Sequence, residues 1–237
     1  MNDFNSDFRD NLLTRFSEIG DADRAKYQQS YMKTDMPFWG IRTPDTRKIV
    51  KDLIKDSSLE SADDWKSLID FIWTNASKRE EWYASIEILN HTRFRKWVIP
   101  DHMDLVEKMV VEGAWWEIID PIATHGVYQM LLNQPEETAS IIRNWAQARN
   151  IWKRRTAILT QLLSKEKMDW NLQKEVMEYS LAEKEFFLQK AIGWVLRQYS
   201  RTGPKRVSDY VSENEDRLSA LAKREGMKLI LKNKRNG

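Results

Sequence analysis

WKSLIDFIW, residues 65–73, decides the fold class. Its residues Trp65, Leu68, Ile69, Ile72 and Trp73 fall at i, i+3, i+4, i+7 and i+8, which is one face of an α-helix. A strand would send the neighbours Leu68 and Ile69, and again Ile72 and Trp73, to opposite faces. Met103, Val106, Met109 and Val110 repeat the helical spacing, and no segment of similar length alternates. Breaks fall at Gly20, Pro37 to Pro44, Ser77, Pro100, Gly113, Pro135, Asn150, the Lys167 region and Gly203-Pro204. About a dozen short helices joined by tight loops are therefore expected. Such a succession predicts an all-α fold, a HEAT-like stack of antiparallel helix pairs forming a curved solenoid with a concave basic cleft. No composition shift marks a linker, so residues 1–237 are expected to form one domain.

Composition narrows the function classes. A chain of 237 residues with 41% hydrophobic content is long and apolar enough to fill a core, which excludes general disorder. The absence of cysteine excludes disulfides, thiolate catalysis and cysteine-ligated zinc, and fits a reducing cytoplasm. The start, MNDFNSDFRDNLL, has no basic segment followed by an apolar run, and no later stretch is apolar for the length of a membrane span. A soluble, unexported protein without membrane contact is expected. His91, His102 and His125 fall at no metal-ligand spacing, and there is neither a phosphate-cradling glycine loop nor a nucleophile elbow. Neither metal nor cofactor is expected, and any catalysis would use carboxylates, aromatics and positioned cations.

The net charge of +2 hides an asymmetry. Residues 1–148 hold 18 Lys/Arg against 25 Asp/Glu, and residues 149–237 hold 20 against 11. The second part is basic, as a localised face for a polyanion would be, or as solvated helix surface would be.

Three clusters concentrate the chemistry. In FFLQKAIGWVLRQYSR, residues 186–201, Lys190, Trp194, Arg197 and Arg201 form one helical stripe, so an indole sits among cations. A buried stripe would not carry three cations, and a merely solvated one has no use for tryptophan. In GAWWEIIDPIATHGV, residues 113–127, Trp116 and Asp120 are one turn apart, and a helix there would present an indole and a carboxylate together to a cationic group. The competing reading is equally physical: Asp120 before Pro121 fits an N-cap followed by proline at the first helical position. In NIWKRRTAILTQLL, residues 150–163, Arg155 lies one turn from Ile151 and Leu159, at the edge of an apolar stripe where a guanidinium reaches a fixed partner. Lys153 and Arg154 add charge beside it, and a phosphate is a suitable partner. Most of the other tryptophans, among them Trp65, Trp73 and Trp145, read as core.

Taken in order, GAWWEIIDPIA, NIWKRRTAIL and KEFFLQKAIGWVLRQYSR resemble segments of the AlkD-type DNA alkylation repair proteins, HEAT-like repeat alkylpurine DNA glycosylases. YMKTDMPFWGIRTPDTRK and LSALAKREGMK extend the resemblance over nearly the whole chain. It implies an enzyme of base excision repair, cytoplasmic and nucleoid-associated in a bacterium, acting on double-stranded DNA that contains alkylated purines; the charged face should resist self-association, so a monomer is expected. The substrates it implies are cationic N3- or N7-alkylpurines such as 3-methyladenine and 7-methylguanine, with no cofactor. Carried over, the catalytic aspartate falls on Asp120, the two active-site tryptophans on Trp116 and Trp194, and the DNA-contacting arginine on Arg155. Tyr31 falls on a position lining the same cleft. Lys190, Arg197 and Arg201 would then grip phosphates around Trp194, with Arg154 and Lys153 as further DNA contacts. The chain departs from the family around the aspartate, with Glu117, Ile118 and Ile119 before it and Pro121 after it. The alternative is a catalytically silent HEAT-like protein that binds damaged or branched DNA.

Overall fold

A computed structural model describes residues 2–235. Among them the regular structure is entirely helical, and the contacts divide the chain into two compact units, Met1–Val98 and Ile99–Gly237.

The first unit contains α1 (Asn2–Ile19), α2 (Ala22–Met32), α3 (Thr43–Lys55), α4 (Ala62–Thr74) and α5 (Arg79–Leu89), followed by a 3-10 turn. The face read from residues 65–73 is its core: Trp65, Leu68, Ile69, Ile72 and Trp73 are all buried, and α4 packs on α1 and α5. Burial of such a face holds short helices that would be marginal alone. Local signals set the ends, with the Asp21 carboxylate accepting from Arg24 N–H (2.9 Å) and Ser61 capping α4 through Asp64 N–H (3.1 Å). Glu80 is fully buried and accepts the backbone N–H groups of Trp39, Gly40 and Ile41 at 2.8–3.0 Å, tying the loop after α2 to α5. Burial pushes its carboxyl above the usual range against those hydrogen bonds.

The second unit continues with α6 (Met103–Gly113), α7 (Trp116–Pro121), α8 (Tyr128–Asn133), α9 (Pro135–Ala146), α10 (Ile151–Leu159), α11 (Trp170–Glu178), α12 (Phe186–Tyr199), α13 (Pro204–Glu213) and α14 (Ala220–Arg235). Helices here pack on the next but one: α9 on α11, α10 on α12, and α12 on α14. A stack of helix pairs gives this alternation, because each helix meets its counterpart in the neighbouring pair. On α12 the residues Leu188, Ala191, Ile192, Val195, Leu196 and Tyr199 are buried at helical spacing. The helices α12 and α14 approach closely through glycine: a Cβ on Gly193 would lie 2.8 Å from the Cβ of Glu225, and one on Gly226 2.9 Å from the Cβ of Leu196.

The breaks read from sequence coincide with helix ends, including Asn150, whose side chain accepts from Trp152 and Lys153 N–H and caps α10. The sequence reading missed the breaks after Lys55, Leu89, Glu178 and Glu213. These four lack proline and glycine, the punctuation on which it relied.

Candidate functional site

Asp120 sits inside a helix, not at the start of one. The chain runs from α7 through a π-helical segment, Ile122–Val127, into α8, and Pro121 has ordinary right-handed helical angles (φ −68, ψ −33). The N-cap reading is therefore overturned. Proline inside a helix removes one N–H and crowds the preceding turn, and the widened π turn directly after it absorbs the disturbance. The Thr124 hydroxyl donates to the Asp120 carbonyl at 2.7 Å.

Upstream, α6 ends at Gly113 and Ala114 turns the chain with φ 26 and ψ 39, a strained conformation for a residue with a Cβ. The turn delivers Trp115 and Trp116 in succession. Trp115 is extended and packs with Trp152 (6.0 Å) and edge-on with Phe187 (5.3 Å), while Trp116 begins α7, half-buried, one turn before Asp120.

Arg155 is the partner of Asp120. Its Nε donates to one carboxylate oxygen at 2.8 Å and its Nη2 to the other at 2.9 Å, a bidentate pair, while Nη1 donates to the Phe187 carbonyl at 2.6 Å. The side chains are 4% and 15% exposed for arginine and aspartate. The fixed partner expected for Arg155 thus exists, and in the structure it is this carboxylate. Burial pushes the Asp120 carboxyl above the ordinary aspartate range, against the pull of the Arg155 hydrogen bonds and charge.

Phe187 links this pair to α12. It starts the stripe that continues through Lys190, Trp194 and Arg197, so one face of α12 runs from the Asp120–Arg155 pair to the cations. At 1.5 Å per residue, Trp194 lies about 10 Å further along the helix axis than Phe187. Trp194 is half-buried against the core of its unit, between the two cations, as the spacing required.

The cations are not idle. Lys190 (3.4 Å) and Arg197 (2.5 Å) both reach the carboxylate of Glu225 on α14. Lys153 pairs with Glu107 on α6 at 2.6 Å and lies 5.3 Å from the Trp145 ring. Arg154 donates to Glu183 (2.9 Å), Ser180 Oγ (3.0 Å) and the Tyr179 carbonyl, so it fastens the loop between α11 and α12. Tyr31 belongs to the first unit, where it is exposed on α2 and stacked on Tyr27 (6.1 Å, 13°). Asp120, Arg155, Phe187, Trp115 and Trp152 thus form one connected group, and Lys190, Arg197 and Glu225 another.

Sequence reasoning did not single out Phe187, Trp115, Trp152, Tyr27 or Glu225. Tyr27 was available from its i, i+4 relation to Tyr31, and Phe187 from its place three residues before Lys190. Glu225 carried no local signal, since it meets Arg197 across 28 residues.

The chain matches the family model described as DNA alkylation repair enzyme over residues 12–230. It belongs to the DNA alkylation repair enzyme family. Among solved structures it is similar to one described as a predicted DNA alkylation repair enzyme from Enterococcus faecalis, with 31% identity, a TM-score of 0.79, and coverage of 88% of this chain and 95% of that one. It is also similar in fold to Pseudomonas fluorescens alkylpurine DNA glycosylase AlkC bound to DNA containing an abasic site analog. There the TM-score is 0.54 at 14% identity, covering 97% of this chain and 62% of that one. No curated protein matches. Among the described residues no helix is long and apolar enough to cross a membrane, and no group of three or more His, Asp or Glu could hold a metal ion.

Proposed function

We propose that the protein is an AlkD-type DNA N-glycosylase that releases cationic N3- or N7-alkylpurines, such as 3-methyladenine and 7-methylguanine, from double-stranded DNA. In this reading it acts as a single-domain monomer in the cytoplasm, on the nucleoid in a bacterium, and needs no cofactor. The observation that carries the reading is the carboxylate of Asp120, withdrawn from water and fixed bidentately one turn after Trp116. Alkylation at N3 or N7 gives the purine a positive charge, so it leaves as a neutral base when the bond from C1′ to the purine breaks. Positive charge then develops on the deoxyribose. Asp120 opposes that charge and orients the water whose oxygen bonds to C1′, accepting its proton. A preorganised carboxylate in a dry site does this without rearranging. Trp116 and Trp194 offer π faces to the cation, each worth about 1–2 kcal/mol when desolvated. Lys190 and Arg197, with Lys153, Arg154 and Tyr31, hold the DNA backbone. Arg155 keeps the carboxylate in one orientation and, in this reading, is also the arginine that contacts the DNA.

The test is single-turnover release of 7-methylguanine from duplex DNA by the wild type and Asp120→Asn, with affinity measured alongside. Asparagine keeps the shape and removes the charge, so the rate is expected to fall on the order of 10²–10³ with binding retained. Full release by the variant refutes the catalytic role of Asp120. A second reading, a catalytically silent DNA-binding protein, is favoured by one observation: Arg155 already neutralises Asp120, as a purely structural ion pair would. Absence of release by the wild type decides for it.

A further inference from the structure

The cations flanking Trp194 share a single carboxylate. Glu225 is buried on α14, with its side chain 11% exposed, and its two oxygens meet Lys190 on one side and Arg197 on the other. It sits at the close crossing of α12 and α14, where a Cβ on Gly193 would lie 2.8 Å from the Cβ of Glu225. Burial works to raise its carboxyl, yet the charges of Lys190, Arg197 and Lys228 hold it below the usual range, so the group is ionised. The cations are less confined: Lys190 is 39% and Arg197 25% exposed at the side chain, against 4% for Arg155. Two oxygens of one anion bridging two cations is the arrangement a backbone phosphate would take on the same face.

We propose that Glu225 is an internal stand-in for a DNA phosphate, occupying the anion site between Lys190 and Arg197 and so limiting the affinity of the basic face and its dependence on salt. The proposal rests on the reading of Lys190 and Arg197 as phosphate contacts. The triad carries a net charge of +1 where the two cations alone would carry +2. A phosphate arriving at this face meets a half-neutralised pair and either shares the cations with Glu225 or displaces it. The benefit to a repair protein is release: it must leave undamaged DNA and its own product, and each uncompensated phosphate contact slows departure.

The experiment measures binding of an undamaged duplex by fluorescence anisotropy over a salt series for the wild type, Glu225→Gln, Arg197→Gln and the double variant, with melting temperatures alongside. Glutamine keeps the size and a hydrogen-bonding oxygen, so Glu225→Gln alters mainly charge. It is expected to bind several-fold more tightly at low salt, with the slope of log K against log salt steeper by about 0.9. Arg197→Gln is expected to be shallower by a similar amount, and the double variant to return near the wild-type slope. Should Glu225→Gln fold poorly, the double variant, which loses both charges together, carries the test by its steeper slope than Arg197→Gln. An unchanged or weaker Glu225→Gln beside a weakened Arg197→Gln overturns the proposal and leaves the DNA-binding reading intact. If Arg197→Gln also binds as the wild type does, that reading falls as well.

Discussion

Removing both charges of the Asp120–Arg155 pair should cost less than the sum of removing each alone. The pair is 15% and 4% exposed and joined by hydrogen bonds of 2.8 and 2.9 Å, so little water reaches it to compensate a lost partner. Asp120→Asn leaves a buried guanidinium facing an amide that accepts only one of the two N–H groups. Arg155→Met leaves a buried carboxylate and also strips the Phe187 carbonyl of its donor. Breaking a buried pair from one side typically costs about 3–5 kcal/mol. In a chain of this size each kcal/mol lowers Tm by about 2–4 °C, so each single variant should melt roughly 6–20 °C below the wild type. The double variant retains no unpaired charge, and its loss should fall short of the sum of the singles by about 2–3 kcal/mol. Thermal unfolding of the four proteins in one buffer measures the cycle. Additive losses, or an Asp120→Asn variant melting within a degree of the wild type, would refute the claim that this pair is an interdependent unit. Release assays on these variants belong well below the lowest Tm, so that lost rate is not lost fold.

The raised Asp120 carboxyl predicts the acid limb of the release reaction. Ionised Asp120 is the working form, so the single-turnover rate should fall as pH drops through a value above the ordinary aspartate 3.8, after subtraction of uncatalysed depurination. The sign for stability is opposite: a carboxyl raised on folding adds stability below its unfolded pKa and loses it as pH climbs through the folded one. Asp120→Asn should show no such limb, and an unchanged limb in the variant would assign it to another group. At the turn before Trp115, Ala114→Gly should remove the strain of a φ of 26 and raise Tm by up to about 4 °C, the net of roughly 1–2 kcal/mol of relieved strain and about 1 kcal/mol of added chain entropy. A fall in Tm would show that this conformation is not strained in the folded protein.

What the sequence determined by itself was local. The face of residues 65–73 is buried as its spacing demanded, and Gly113, Asn150 and Pro204 end or begin helices because capping and φ restriction act within a few residues. The stripe of Lys190, Trp194 and Arg197 was legible for the same reason, but Arg201, read as its fourth member, lies in the turn beyond the end of α12 at Tyr199. Asp120-Pro121 was not legible, because an N-cap and a helix interior share the same local chemistry, and only packing of the neighbouring helices selects the second. Tertiary structure alone decided the partners: Asp120 meets Arg155 across 35 residues and Arg197 meets Glu225 across 28. A guanidinium at the edge of an apolar stripe announces that it needs an anion. Which anion it finds depends on how the helices stack, and periodicity along one helix holds no information about the face opposite it.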